Sequence, residues 1–140
     1  IYNFSGPDRV GPQGVEYQIQ EGAKGDFWML GGTTLTTTVE SVKTAVPRYE
    51  QNGLPYTSRR GDFVRIIKSG TFESRGAWNT VDIIVRGNTA THLINGRVNN
   101  RAYSLHAANG APLTEGKILL QAEGAEVFYR NIQIRPLEGP

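Results

Sequence analysis

The chain has no cysteine, so neither a disulfide nor thiolate chemistry is open to it, although that absence is compatible with any compartment. With only two histidines besides, it lacks the usual ligand set of a zinc site. Oxygen ligands are present, but no Asp-rich loop spaces them for calcium, and no metal site or cofactor is expected. A phosphate-binding glycine loop, a G-x-S-x-G elbow and an H-E-x-x-H pair are also missing. Lysine and arginine are scattered among thirteen acids with a formal charge of only +2 and no basic run, which argues against a nucleic-acid partner. No apolar stretch approaches the ~18 to 20 residues that a spanning helix needs. There is no internal repeat, heptad or low-complexity tract, and no long run of helix formers.

What the chain does have is 17 glycines, seven prolines and many threonines and valines, the composition of a turn-rich all-β domain. At 140 residues it suits a single domain, 1–140, able to bury roughly two-thirds of its unfolded surface. It opens on IYNF, which reads as the inside or end of a strand, so a processed or truncated product is expected.

In order, residues 1–4 read as extended and SGPDRVGPQG as a loop. In 14–21, Val15, Tyr17 and Ile19 alternate with Glu16, Gln18 and Gln20, giving a strand with one core face and one polar face. Short strands are expected over 27–30, 35–42 and 63–68. The segment 43–61 has no period and reads as a long loop, of a length that is often a lid or a binding loop. Residues 78–86 and 89–94 form strands, the second leading into Asn95-Gly96, the strongest short hairpin signal present. Residues 97–110 look polar and irregular. Two β-rich runs, 117–122 and 127–134, joined at Gly124, predict a closing hairpin. Short strands at this spacing predict an antiparallel two-sheet sandwich.

Several motifs carry a family resemblance. The run Gly116, Ile118, Gln121, Gly124, Val127, Phe128, Arg130, Asn131, Ile132 and Leu137 resembles the closing signature of the 3-keto-disaccharide hydrolase domain. Upstream, Gly14, Glu16, Gln18 and Ile19 resemble its G-x-E-x-Q-I motif, followed at the family's distance by Gly25–Trp28 (GDFW). Gly76, Trp78 and Asn79 resemble its G-E-W-N motif with Ala77 in the acid's place, and Asn95 and Gly96 match its N-G turn. The resemblance covers nearly the whole chain, with family members usually carrying several strands before its first residue. It implies a concanavalin-like jelly roll with a concave groove, of which this chain would be the C-terminal two-thirds. It also implies a carbohydrate substrate, pairing with a sugar 3-dehydrogenase, and a bacterial periplasmic or cell-surface location.

A retaining glycosidase of the laminarinase type would show E-x-D-x-x-E on one strand. Here the strand holds Glu16 followed by Gln18 and Gln20, one acid and two amides, which disfavours a two-carboxylate mechanism. A 3-keto sugar needs other chemistry: a base for the acidified C2 proton, stabilisation of the enolate, and positioning. Catalytic candidates are Glu16, as base or positioning acid, and His92, whose ordinary pKa suits proton transfer. Substrate-binding candidates are Gln18, Trp28 as a sugar platform or a core aromatic, Asn100 and Arg101, which resemble the family's V-N-R-A segment, and Gln121 and Glu123. His106 ranks below them, and Trp78 is assigned to packing. The alternative function is a non-catalytic carbohydrate-binding module, and a third possibility is a fragment too short to complete the groove.

Overall fold

The computed structural model describes residues 2–5 and 7–138. It contains eleven strands: β1 (Tyr2–Ser5), β2 (Gln13–Tyr17), β3 (Phe27–Leu30), β4 (Thr34–Val39), β5 (Leu54–Thr57), β6 (Val64–Ile66), β7 (Val81–Arg86), β8 (Thr89–Ile94), β9 (Arg97–Ala102), β10 (Ser104–His106) and β11 (Lys117–Leu119). Among the described residues there is no helix, and none long and apolar enough to cross a membrane. One sheet runs β11-β1-β2-β3-β6, a second β10-β4-β5 and a third β7-β8-β9, every named pair being antiparallel. The two smaller sheets join through Tyr103 N–H to the Thr36 carbonyl and Leu105 N–H to the Asn88 carbonyl, 2.8 Å each. One core draws on all three sheets. Val15, Tyr17, Phe27, Met29 and Ile66 from the large sheet meet Leu35, Tyr49, Ala90, Ala102 and Leu105. This is the all-β, antiparallel arrangement of a β-sandwich.

Alternation explains the strands that form where expected. Val15 and Tyr17 are fully buried while Glu16 stays half-buried, and Ile83 and Val85 pack on the core opposite exposed Asp82 and Ile84. The β8–β9 turn holds Asn95 at φ 50° and Gly96 at φ 76°, the left-handed pair that a two-residue hairpin requires.

Five expectations need correction. The segment 43–61 is not a bare loop: Leu54–Thr57 pairs along β4, and Tyr49 is core. Pro55 is tolerated because β5 is an edge strand. Residues 97–110 are not irregular but carry β9 and β10, their polar look arising from buried Asn99 and Asn100. The strand expected over 78–86 starts only at Val81, and Trp78 is 52% exposed beneath Arg130 rather than packed inside. The strands expected over 14–21, 35–42 and 63–68 are shorter, β2 ending at Tyr17 before Ile19 and Phe63 standing exposed with φ 55°. The closing hairpin does not form. β11 pairs with β1 instead, Asn131 turns to φ 54° in the middle of the second run, and Phe128, Ile132 and Ile134 are exposed.

Buried polar groups lock the β2–β3 turn to the rest. Asn99 Nδ2 donates to the Lys24 carbonyl at 2.8 Å, and Asn100 Nδ2 donates to the carbonyls of Gly25 and Ile66. Gly25, at φ 106°, has no room for a Cβ, which would lie 2.2 Å from Asn99 Nδ2. A buried ion pair, Lys68 to Glu73 at 3.0 Å, reaches the same turn, since Glu73 also accepts the Gly22 N–H.

Candidate active face on the five-stranded sheet

With Val15, Tyr17, Phe27, Met29, Val64 and Ile66 facing the core, the alternate residues of β2, β3 and β6 share the opposite face. Register sets Glu16 opposite Trp28, and Trp28 opposite Arg65. Strands lie about 4.8 Å apart, so the Glu16 and Arg65 backbones stand about 10 Å apart with Trp28 between them. Leu30 and Leu119 pack beside Trp28 as an apolar floor. Two residue pairs toward the turn, Gln18 and Asp26 continue the face, joined by Gln18 N–H to the Asp26 carbonyl at 3.0 Å.

Asp26 fixes Arg65. Fully buried, it accepts Nε–H of Arg65 at 2.8 Å and an Nη2–H on Oδ2, while Oδ1 accepts the Lys68 N–H at 2.8 Å. The guanidinium lies 5.3 Å from the Trp28 ring centroid and its side chain remains 34% exposed, so it is both held and reachable. Neither residue was singled out from the sequence. Asp26 sits inside the GDFW motif, and Arg65 is the polar position of an alternating strand.

The other candidates are engaged in contacts of their own. Gln18 shares the Glu16 face, but its Oε1 accepts the N–H groups of Ile19 and Gln20 at 2.9 Å, holding the turn. Asn100 is buried and donates to backbone. Arg101 donates Nε–H to Thr91 Oγ1 at 3.2 Å on β8–β9. Gln121 donates to Glu123 at 2.8 Å, just past β11, whose Leu119 aligns with Tyr2 and through it with Glu16. His106 lies 3.4 Å from the Ser104 hydroxyl on β10. Two of the family-like motifs meet, as Asn95 Nδ2 donates to Asn79 Oδ1 at 2.9 Å. Among the described residues no three His, Asp or Glu converge as metal ligands.

His92 lies inside the core. Its ring is fully buried, edge-on to Tyr17 at 4.9 Å and stacked on Phe27 at 6.2 Å, with neither nitrogen in a hydrogen bond of good geometry. Burial drives its pKa from 6.5 down to about 3, a backbone contact with Gly25 opposing this only weakly. Burial likewise raises the pKa of the neighbouring Tyr17 hydroxyl, which stays neutral. Unfolding exposes His92 to protons it refuses when folded. The unfolded chain therefore binds more protons below about pH 6.5, and stability falls with pH from there until about pH 3. Glu73 adds to the fall in more acidic solution: burial pushes its pKa up, but the Lys68 hydrogen bond and backbone N–H groups hold it below the usual carboxylate range. Urea unfolding is expected to give a stability about 2 kcal/mol lower at pH 5 than at pH 7. His92→Phe should remove most of that difference, and an unchanged difference would refute the assignment.

A family model described as the 3-keto-alpha-glucoside-1,2-lyase-like domain matches residues 4–135. The chain belongs to this family. Searches of curated proteins and of solved structures each find no significant match. The lyase-like match spans both halves of the candidate face, Glu16 and Trp28 on one side and Arg65 on the other, as well as β11. At the family level it gives activity of the glycoside lyase or hydrolase kind.

Proposed function

We propose that the Glu16–Trp28–Arg65 face cleaves 3-keto-glycosides by elimination and hydration. The observation that carries this reading is a single half-buried carboxylate across an aromatic platform from a guanidinium anchored by a buried acid. Asp26, the acid nearest Glu16 by register on this face, is buried and committed to Arg65, so these two carboxylates do not form a glycosidase pair.

The sugar ring stacks on Trp28. Glu16 removes the C2 proton, and the electron pair moves into the C2–C3 bond as the ketone becomes an enolate beside Arg65. Collapse of the enolate restores the ketone, forms the C1–C2 double bond and breaks the C1–oxygen bond. The departing oxygen takes the proton now held by Glu16 and leaves as an alcohol, which returns Glu16 to its carboxylate. Water then adds hydroxyl at C1 and a proton at C2, completing a net hydrolysis. The C3 ketone is made by oxidation of a hydroxyl, so a sugar 3-dehydrogenase acts first.

The test compares a 3-keto-glucoside bearing a chromogenic aglycone with its unoxidised counterpart. Release from the keto substrate alone is expected. Binding of both without release would favour a carbohydrate-binding module, and equal cleavage of both would contradict the mechanism.

A further inference from the structure

β11 closes one edge of the five-stranded sheet. It pairs with β1 on its inner side, and among the described residues no strand lies along its outer side. The run that follows reaches it through a side chain, the Tyr129 hydroxyl donating to the Gln121 carbonyl at 2.7 Å, and forms no ladder with it. Exposed sheet edges are commonly blunted by proline, a bulge or several charges. The segment KILLQA over 117–122 has no proline, pairs with β1 without a bulge, and carries one charge, Lys117.

Register divides the side chains of this edge between two faces. Ile118 aligns with Asn3 and through it with Val15, so it lies on the core side of the sheet, yet it is 64% exposed. Leu120, the next residue on that side, is 41% exposed. Lys117, Leu119, Gln121 and Glu123 alternate with them on the polar side, where Gln121 donates to Glu123 at 2.8 Å. The apolar side of the sheet thus runs out to an uncovered edge.

We infer that this edge docks on the same edge of a second copy of the chain, strand against strand. In an antiparallel pair related by a two-fold axis, the residue on the axis fixes every other pairing. With Leu120 on the axis, Leu120 meets Leu120 and Ile118 meets Ala122 on the core side, while Leu119 meets Gln121 and Lys117 meets Glu123 on the polar side. Every core-side pair is apolar, and the charged pair is opposite in sign and occurs twice. With Leu119 on the axis Glu115 would oppose Glu123, and with Gln121 there Leu119 would oppose Glu123, so the charges select one register. Lys117 meets Asp8 within the chain, but its side chain is 56% exposed and within reach of a neighbour across the edge. The result is one ten-stranded sheet with both Glu16 faces on the same side, five strand spacings or about 24 Å apart.

Sedimentation equilibrium over a dilution series tests this. The wild type is expected to pass from monomer to dimer as concentration rises. Leu120→Lys sets two like charges at the axis and should leave only monomer. Lys117→Glu and Glu123→Lys should each weaken the dimer about tenfold, because each turns two attractive pairs into repulsive ones. An equimolar mixture of these two variants should restore it, since one chain is then acidic at both positions and the other basic at both. All three positions are exposed, and melting curves confirm that the variants are folded. A wild type that is monomeric at every concentration would overturn the inference, as would a Leu120→Lys dimer of unchanged strength or a mixture no tighter than its components.

Discussion

Glu16→Gln is expected to lower kcat for 3-keto-glucoside cleavage about a thousandfold, with KM nearly unchanged. An amide of the same shape cannot take the C2 proton, and a positioned general base contributes roughly 10²- to 10⁴-fold. Ring stacking on Trp28 is untouched, so ground-state binding should persist. β2 is held by backbone pairing to β1 and β3 on either side, and Val15 and Tyr17 keep their places in the core. The melting temperature should therefore move little. A variant that loses activity by unfolding would show the reverse pattern, with a lowered melting temperature and a residual kcat in proportion to the folded fraction. Retention of kcat within tenfold would remove Glu16 from the role of base.

Asp26→Ala should cost about 3 kcal/mol of stability, because it leaves the Lys68 N–H and the inner side of the Arg65 guanidinium without their acceptor in a buried place. For a domain of this size that is a fall in melting temperature of about 10 °C. Activity should fall as well among the molecules that remain folded, since Arg65 would no longer be aimed over Trp28. Asp26→Asn retains an acceptor oxygen and should lie between the two. Thermal melts and kcat on the same preparations check both effects, and an Asp26→Ala variant as stable as the wild type would show that the carboxylate anchors nothing.

The strands of this fold are legible where one face is apolar and the other polar. Val15 and Tyr17 against Glu16, or Ile83 and Val85 against Asp82, declare both a strand and its inward side. β9 is hidden because its buried positions include Asn99 and Asn100, which a periodicity reading takes for solvent, whereas in the structure they bond the backbone of the β2–β3 turn. The closing hairpin is the opposite case: Phe128, Ile132 and Ile134 alternate well but meet no partner among the described residues, and Asn131 breaks the extension. Alternation alone can mark a strand that pairs with nothing.

The candidate face follows the same logic. Glu16 and Trp28 were legible as polar-face and aromatic residues, but that they stand opposite each other depends on register, which is a non-local property. Arg65 joins them from 37 positions further along than Trp28 by pairing β3 with β6, and no local pattern announces that. His92 carried a readable warning, since Ala90, His92 and Ile94 alternate on one side of β8 and all three are buried. Its ordinary pKa drew notice that its position does not support.

The central claim is removal of the C2 proton, and an isotope trace follows that proton directly. The protein would be given a 3-keto-glucoside in deuterium oxide and the released 3-keto-glucose analysed at C2 by mass spectrometry at early times, against free product incubated alone. Elimination and hydration predict one deuterium at C2 in product formed by the protein, above the control. Product released with its original hydrogen retained at C2 would mean direct cleavage of the C1 bond and would contradict the account.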